Sequence, residues 1–217
     1  MKKIKAFTLV ETLIVIVVFC VGILVVLQWL SQTLRNKDYA NIQIKSAFFA
    51  REWIEMMFNL RDANYHKKLP WNCIFKHEDN PRRIMDDNIN DNPFCKRLFA
   101  PWTVLKVWIW TDGEFIETEI IDELNEDFDK RLENFQIYLH TWSNLNGFTG
   151  YLYNHVKDGG EETWFGRYLL IKQVSDEGKP VDSNKLLKIE SHVLYRKWYL
   201  TGEKVMETFI WNYEFKQ

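Results

Sequence analysis

Glu11 is the residue whose type and position most demand a chemical reason. It lies inside the apolar run Phe7-Thr8-Leu9-Val10-Glu11-Thr12-Leu13, which continues to Leu30. An ionised carboxylate surrounded by hydrocarbon costs several kcal/mol unless a cation meets it, and leucine would serve a mere anchor better. The cation can come from the chain itself. Cleavage after Ala6 would create an α-ammonium on Phe7, one helical turn from Glu11. In an assembly, the amine of one subunit could equally meet the Glu11 of its neighbour. Processing between Ala6 and Phe7, followed by ion pairing at Glu11, is the chemistry to which these residues point.

A helix must carry that chemistry. From Phe7 to Leu30 it would run roughly 36 Å at about 1.5 Å per residue, enough to cross the hydrocarbon core. Lys2, Lys3 and Lys5 precede the run, which places the N-terminus in the cytoplasm and everything after Leu30 outside it. A secretory signal should leave its apolar core at a small-x-small site, and Leu27-Gln28-Trp29-Leu30-Ser31 offers none. Cys20 follows Phe19, which does not suit lipidation, so Cys20 reads as a small apolar residue on the helix. A plain membrane anchor is the alternative reading of this stretch.

The short basic leader, the small Ala6, Phe7-Thr8-Leu9-Val10-Glu11 and the long apolar helix together resemble the class III signal of type IV pilins and type II secretion pseudopilins. The resemblance implies that a prepilin peptidase cuts between Ala6 and Phe7 and methylates the new amine of Phe7. It implies that Glu11 guides subunit docking. The partners it implies are that peptidase, other pilin or pseudopilin subunits, an inner-membrane assembly platform and the membrane. Ala6 stands where the family usually has glycine, and Gln28 where many major pilins carry proline. The implied fold is α+β, a long N-terminal helix whose first half spans the membrane and whose second half packs on a C-terminal antiparallel β-sheet.

Composition allows one membrane helix and one domain of ordinary size within 217 residues. The formal charge is −2, becoming −5 once the three leader lysines are removed. Neither value suits a protein built for bulk phosphate binding. Ten tryptophans and fifteen phenylalanines exceed what one core needs, so part of this surplus is expected at interfaces.

The expected organisation is a leader over 1–6, a membrane and filament-core helix over 7–30, and its amphipathic continuation over 31–62. An irregular connection follows over 63–101 and an antiparallel sheet domain over 102–217. In the continuation, Ala47, Ala50, Ile54, Met57 and Phe58 fall near one face, with Lys45, Arg51, Glu52 and Glu55 largely elsewhere. No breaker separates the halves, which favours one rod over two helices hinged near Ser31 to Asn36. The connection is rich in Asn, Asp and Pro, with Pro70, Pro81 and Pro93. Cys73 and Cys95 flank its middle as the two cysteines outside the apolar run. A disulfide between them would close a loop of some twenty residues and contribute about 3 kcal/mol.

Two metal readings of the connection fail on spacing. Asp86, Asn88, Asn90 and Asp91 resemble the start of a calcium loop, but the turn glycine is absent and Arg97 takes the place of the bidentate glutamate. Cys73, His77, Cys95 and His66 lack the second paired spacing of a zinc module. No metal and no cofactor is expected.

After Pro101 the period changes to two. Strands are expected over Trp102 to Thr111, Phe115 to Ile121, Phe135 to Trp142, Trp164 to Val174, Lys185 to Leu200 and Lys204 to Phe215. Asp112-Gly113 and Thr201-Gly202 are the expected hairpin turns, and Asn144 to Gly150 a further turn region. Asp122 to Leu132 reads as a loop or short helix. Leu187, Ile189, Ser191, Val193 and Tyr195 alternate onto one face of their strand.

The sequence holds no Gly-rich phosphate loop, nucleophile elbow or His-Glu-x-x-His helix, and His66, His77, His140, His155 and His192 are scattered. The basic doublets Lys67-Lys68, Arg82-Arg83 and Lys96-Arg97 are nearly cancelled by Glu78, Asp79, Asp86, Asp87 and Asp91, which disfavours DNA binding. The expectation is a non-catalytic minor pilin or pseudopilin of an adhesive, competence or secretion filament. The alternatives are a pilin-stemmed adhesin or a receptor for DNA or glycan at a filament tip. A membrane-anchored extracytoplasmic domain, enzymatic or not, is a third.

Overall fold

No proline and a single glycine, Gly22, interrupt the chain between Leu9 and His66, and this whole stretch forms one helix, α1 (Leu9–His66). The structure is a computed structural model and describes residues 9–75, 95–98, 100–109, 116–121, 124–143 and 149–213. α1 ends in a Schellman-type turn: Leu69 N–H donates to the Asn64 carbonyl at 2.9 Å, with Lys68 in the left-handed region at φ 55. Pro70 follows and forbids a further turn. The helix therefore runs one turn beyond the expected end at Asp62.

The remaining elements, in chain order, are β1 (Cys73–Phe75), β2 (Cys95–Leu98), β3 (Val104–Ile109), β4 (Ile116–Ile121), α2 (Phe128–Asn134), β5 (Gln136–Ser143), β6 (Thr149–Asn154), β7 (Glu161–Gln173), β8 (Ser175–Asp176), β9 (Lys179–Pro180), β10 (Leu186–Lys197) and β11 (Leu200–Trp211). Internal contacts divide the chain into two units, Met1–Ile44 and Lys45–Gln217. In the first, the described residues are all helical.

The second unit is a helix on an antiparallel sheet. Among the described residues the main sheet has seven strands, with β11-β10-β7-β3-β4 in order and β5 joining β6 to β7. Every pairing is antiparallel. β7 is the central strand: β10 lies along one edge, while β5 takes the first part of the other edge and β3 the later part. Period-two alternation then sorts the side chains. Leu169 and Ile171 of β7, Leu187 and Ile189 of β10, Leu105 and Ile210 meet Trp53, Met56, Met57 and Leu60 of α1. Tyr168 of β7, Leu194 and Val104 point the other way, onto Leu132 and Phe135 around α2. Asp127 caps α2, its Oδ1 accepting from Asp129 N–H at 2.8 Å.

The expected β10 alternation is present, with Leu187, Ile189, Ser191, Val193 and Tyr195 all buried. On α1 the buried stripe includes Ala50, Ile54 and Met57 as expected, and adds Phe49, Trp53, Met56 and Leu60. Asp112-Gly113 lies outside the described residues, although β3 and β4 pair as a hairpin requires. Three features depart from the sequence reading. β1 and β2 pair within the stretch read as irregular, with Phe75 opposite Cys95. β6 pairs with β5 along Tyr138 to Ser143, where the Asn-Gly-rich stretch before it masked a strand.

The third departure is the last hairpin. Thr201 and Gly202 are not its turn but part of β11; the turn is Trp198-Tyr199, since Lys197 pairs with Leu200. Gly202 is needed for a close approach instead. Tyr195 sits directly opposite, and a Cβ on Gly202 would lie 2.7 Å from Tyr195 Cζ. The glycine opens a slot for a buried tyrosine ring, while Trp198 takes the left-handed turn position at φ 54, a conformation costing a non-glycine residue about 1–2 kcal/mol.

Candidate assembly site

Ala6 and Phe7, the expected processing pair, lie outside the described residues. Glu11 falls in the first turn of the described part of α1. Around and after it the helix is apolar on every face. Its large side chains from Leu9 to Leu30 are 43–83% exposed within the chain. A helix hydrophobic all round belongs in lipid or among other apolar helices. This one is long and apolar enough to cross a membrane, and it carries the exposed indole of Trp29 near the end of the run, the kind of ring that settles at a bilayer surface. Cys20 is a free, exposed thiol on the same stretch.

Of the expected bridge, Cys73 is buried at the start of β1 and Cys95 begins the facing strand. The residues weighed as a calcium loop, Asp86 to Asp91, lie outside the described residues, as does His77. Among the described residues no group of three or more His, Cys, Asp or Glu side chains converges as a metal site. Of the basic doublets, Lys67-Lys68 is exposed at the end of α1. Arg82-Arg83 lies outside the described residues, and the backbone of Lys96-Arg97 forms the middle of β2.

Sequence reasoning missed the polar seam between α1 and the sheet. Arg167 of β7 donates from Nη1 to Glu52 Oε2 of α1 at 2.5 Å and from Nη2 to the Tyr153 carbonyl at 2.8 Å. Its guanidinium carbon lies 4.7 Å from the Trp53 ring centroid. Burial pulls Arg167 below the usual guanidinium range, opposed by the Glu52 charge. His155 stands edge-on to Trp53 at 5.4 Å, its Nδ1 2.9 Å from the Gln136 carbonyl. Burial, with the nearby Arg167 charge, holds its pKa down to about 3. His140, also scattered in sequence, is buried with Nε2 2.7 Å from the Val156 carbonyl. Both histidines serve the interior.

A second clamp closes the C-terminal end of the helix. Arg61 lies over the rings of Phe58, Trp211 and Tyr213, 4.2 Å from the last, and pairs with Asp62 at 2.8 Å. Tyr213 stacks on Tyr65 at 4.5 Å and hydrogen-bonds Asp62, while Tyr65 hydrogen-bonds Asn212. Glu52 was legible only as a charge off the apolar face, because its partner Arg167 lies 115 residues away.

The opposite sheet face carries a polar chain. Glu190 is met by Lys172 at 2.8 Å, Lys188 at 3.0 Å and His192 at 3.3 Å. Burial alone would raise its pKa; the hydrogen bonds from those three residues outweigh it and hold the carboxyl at about 2. His192 Nδ1 approaches Glu203 to 2.6 Å, and its ring stacks on Tyr168 at 4.6 Å. Tyr168 and Arg131 also reach Glu203. Burial, then the Glu203 charge, raises the Tyr168 phenol. These contacts join β7, β10, β11 and α2, and their geometry is that of a cross-strand tie.

The large hydrophobic side chains that stay exposed on the second unit are mostly aromatic. Trp102, Trp164, Trp198 and Tyr199 are 50–70% exposed, which locates part of the aromatic surplus on the surface.

Residues 1–27 match the family model described as the prokaryotic N-terminal methylation motif, the signature of type IV pilins and pseudopilins. No curated protein and no solved structure matches the chain.

Proposed function

We propose that the chain is a minor pilin or pseudopilin, a structural subunit cut by a prepilin peptidase and assembled into a type IV pilus-like filament. The observation that carries the reading is the methylation motif over residues 1–27, continuous with a helix apolar on every face and bearing Glu11 in its first described turn. In this reading the apolar half of α1 holds the subunit in the bilayer, with the N-terminus cytoplasmic and the sheet unit outside. Cleavage between Ala6 and Phe7 frees an amine that is methylated. Glu11 then meets the Phe7 amine of an adjoining subunit at the assembly platform. Desolvation makes the pairing selective, since a carboxylate left alone in a dry filament core is strongly penalised. A Cys73–Cys95 bridge belongs to the same proposal, supported by the facing strands that bear the two cysteines and by an oxidising compartment.

The test is intact mass and N-terminal sequence after coexpression with a prepilin peptidase. The expected product begins at methylated Phe7 and is lighter by two hydrogens than its reduced form. Glu11→Leu should leave processing intact and abolish copurification with filaments. A chain still beginning at Met1, beside a control substrate that is cut, would overturn the reading.

A further inference from the structure

β11 is an edge strand of the main sheet and runs for 12 residues, about twice the usual strand length. Asn212 N–H donates to the Lys185 carbonyl, which fixes the phase of the ladder. Even-numbered residues of β11 bond to β10, and odd-numbered ones turn their N–H and C=O groups outward. The outward row is Thr201, Glu203, Val205, Glu207, Phe209 and Trp211, each an exposed residue. Among the described residues, the backbone groups of this row bond to no other element.

Natural edges are guarded by proline, by bulges, by short length or by charges that project past the strand. β11 holds no proline, and its pairing with β10 is unbroken from Leu200 to Trp211. Its two carboxylates are drawn inward: Glu203 bonds to His192, Tyr168 and Arg131, and Glu207 to Lys188. Such an edge is a template for another strand, whose main chain supplies the hydrogen bonds.

The side-chain pattern of β11 matches a second β11. In antiparallel pairing about a two-fold axis, outward residues meet outward residues. Glu203 and Glu207 then share one face, and Lys204 stays on the other. In parallel pairing, an outward residue of one strand lies opposite an inward residue of its neighbour, so the two rows mix. With an offset of one residue, Glu203 faces Lys204 of the second copy, Val205 its Met206 and Glu207 its Thr208, and no like charges are opposed. Opposite charges across a strand pair are stabilising. Glu203 Oε2 has room to accept, since Arg131 reaches it only at 3.5 Å. Phe49 lies at the Tyr195 end of the sheet and Arg61 at the Trp211 end, so this part of α1 runs along β11. Parallel pairing therefore points it the same way in both copies.

We propose that β11 is a docking edge for a second copy of this chain, whose own β11 adds alongside in parallel, offset by one residue. The test is amide hydrogen exchange on the full chain in detergent micelles, at rising ratios of protein to detergent. The outward amides of Thr201, Val205 and Glu207 should exchange fast at low ratio and at least about tenfold more slowly at high ratio. Those of Lys204 and Met206 should be slow throughout. Val205→Pro removes one outward N–H and leaves the ladder to β10 whole, so it should abolish the slowing while Lys204 and Met206 stay protected. Val205→Lys, which adds only an edge charge, should do the same. Nitroxides at Thr201→Cys and Phe209→Cys, in a Cys20→Ser chain, should give two short and similar distances between like sites. Antiparallel pairing would make those distances sum to at least about 53 Å, and would overturn the parallel arrangement. Outward amides that stay fast at every ratio overturn the docking edge. Outward amides already slow at the lowest ratio overturn it equally, because the chain then covers its own edge. Slowing that needs a different pilin-type subunit assigns the edge to that subunit and overturns self-pairing. Cleavage at Ala6 enters none of these readouts, so their failure leaves the proposed function standing.

Discussion

The Glu52–Arg167 pair should respond asymmetrically to loss of either partner. The Arg167 side chain is 1% exposed and that of Glu52 is 41%. Glu52→Gln strands a guanidinium in the core, with the Tyr153 carbonyl and the Trp53 ring as its remaining neighbours. Breaking a buried pair from that side costs about 3 kcal/mol, at the low end of the usual range because Glu52 already touches water. Arg167→Met strands a carboxylate that water can reach and fills the vacated volume with an apolar chain. Its cost is the lost charge-assisted hydrogen bonding, about 1.5 kcal/mol. The double variant buries no orphaned charge and should be no less stable than Arg167→Met. The assay is urea unfolding of the full chain in detergent, followed by near-ultraviolet circular dichroism. With a urea slope of about 2 kcal/mol per molar, the midpoint should fall by about 1.5 M for Glu52→Gln and by about half that for Arg167→Met. Equal losses in the two single variants, or a double variant as weak as both losses combined, would refute burial of the cation as the cause.

Two further outcomes follow from the same geometry. Unfolded His155 takes a proton near pH 6.5, whereas the folded residue resists until about 3; stability from this source is complete above pH 6.5 and is lost as pH falls toward 3. Glu190, held at about 2 against a usual 4.5, adds to the loss below pH 4.5. Because the Arg167 charge adds to burial in suppressing His155, Arg167→Met should let the folded residue protonate earlier, so that the loss of stability levels off at a pH above about 3. An unchanged levelling-off pH would remove the charge coupling. Gly202→Ala should destabilise by about 1–3 kcal/mol through overpacking against Tyr195, while Thr201→Ala, at an exposed position, stays within about 0.5 kcal/mol. Equal thermal midpoints for the two would mean that Tyr195 moves aside without cost.

The parts of this molecule legible in sequence are those governed by local periodicity. Apolarity without interruption reads as α1, and alternation from Leu187 to Tyr195 reads as a buried strand face, because both patterns lie within one element. Motif spacing picked out the segment from Ala6 to Glu11 for the same reason. Long-range partners were not legible. Arg167 looks like a charge within a strand until Glu52, 115 residues away, is brought beside it. Gly202 looks like a turn because glycine usually is one, and only the cross-strand Tyr195 shows why it belongs inside β11. Trp198-Tyr199 carries none of the usual turn residues, so its turn was invisible to composition. β6 follows a Gly-rich stretch, and its identity as a strand comes from β5.

The clamp at the end of α1 joins early-made residues to residues at and just after β11. Tyr65 and Asp62 are synthesised early, yet their partners Asn212 and Tyr213 come 147–151 residues later. Ile210, also in the final strand, belongs to the same core as Trp53 and Leu60. During synthesis the apolar stripe of the helix must therefore wait, uncovered, for nearly the whole chain, and such distant closures are slow. That interval is a window for holdase chaperones and proteases. It also makes β11 a checkpoint: a chain truncated before Trp211 leaves the stripe unsealed and open to degradation.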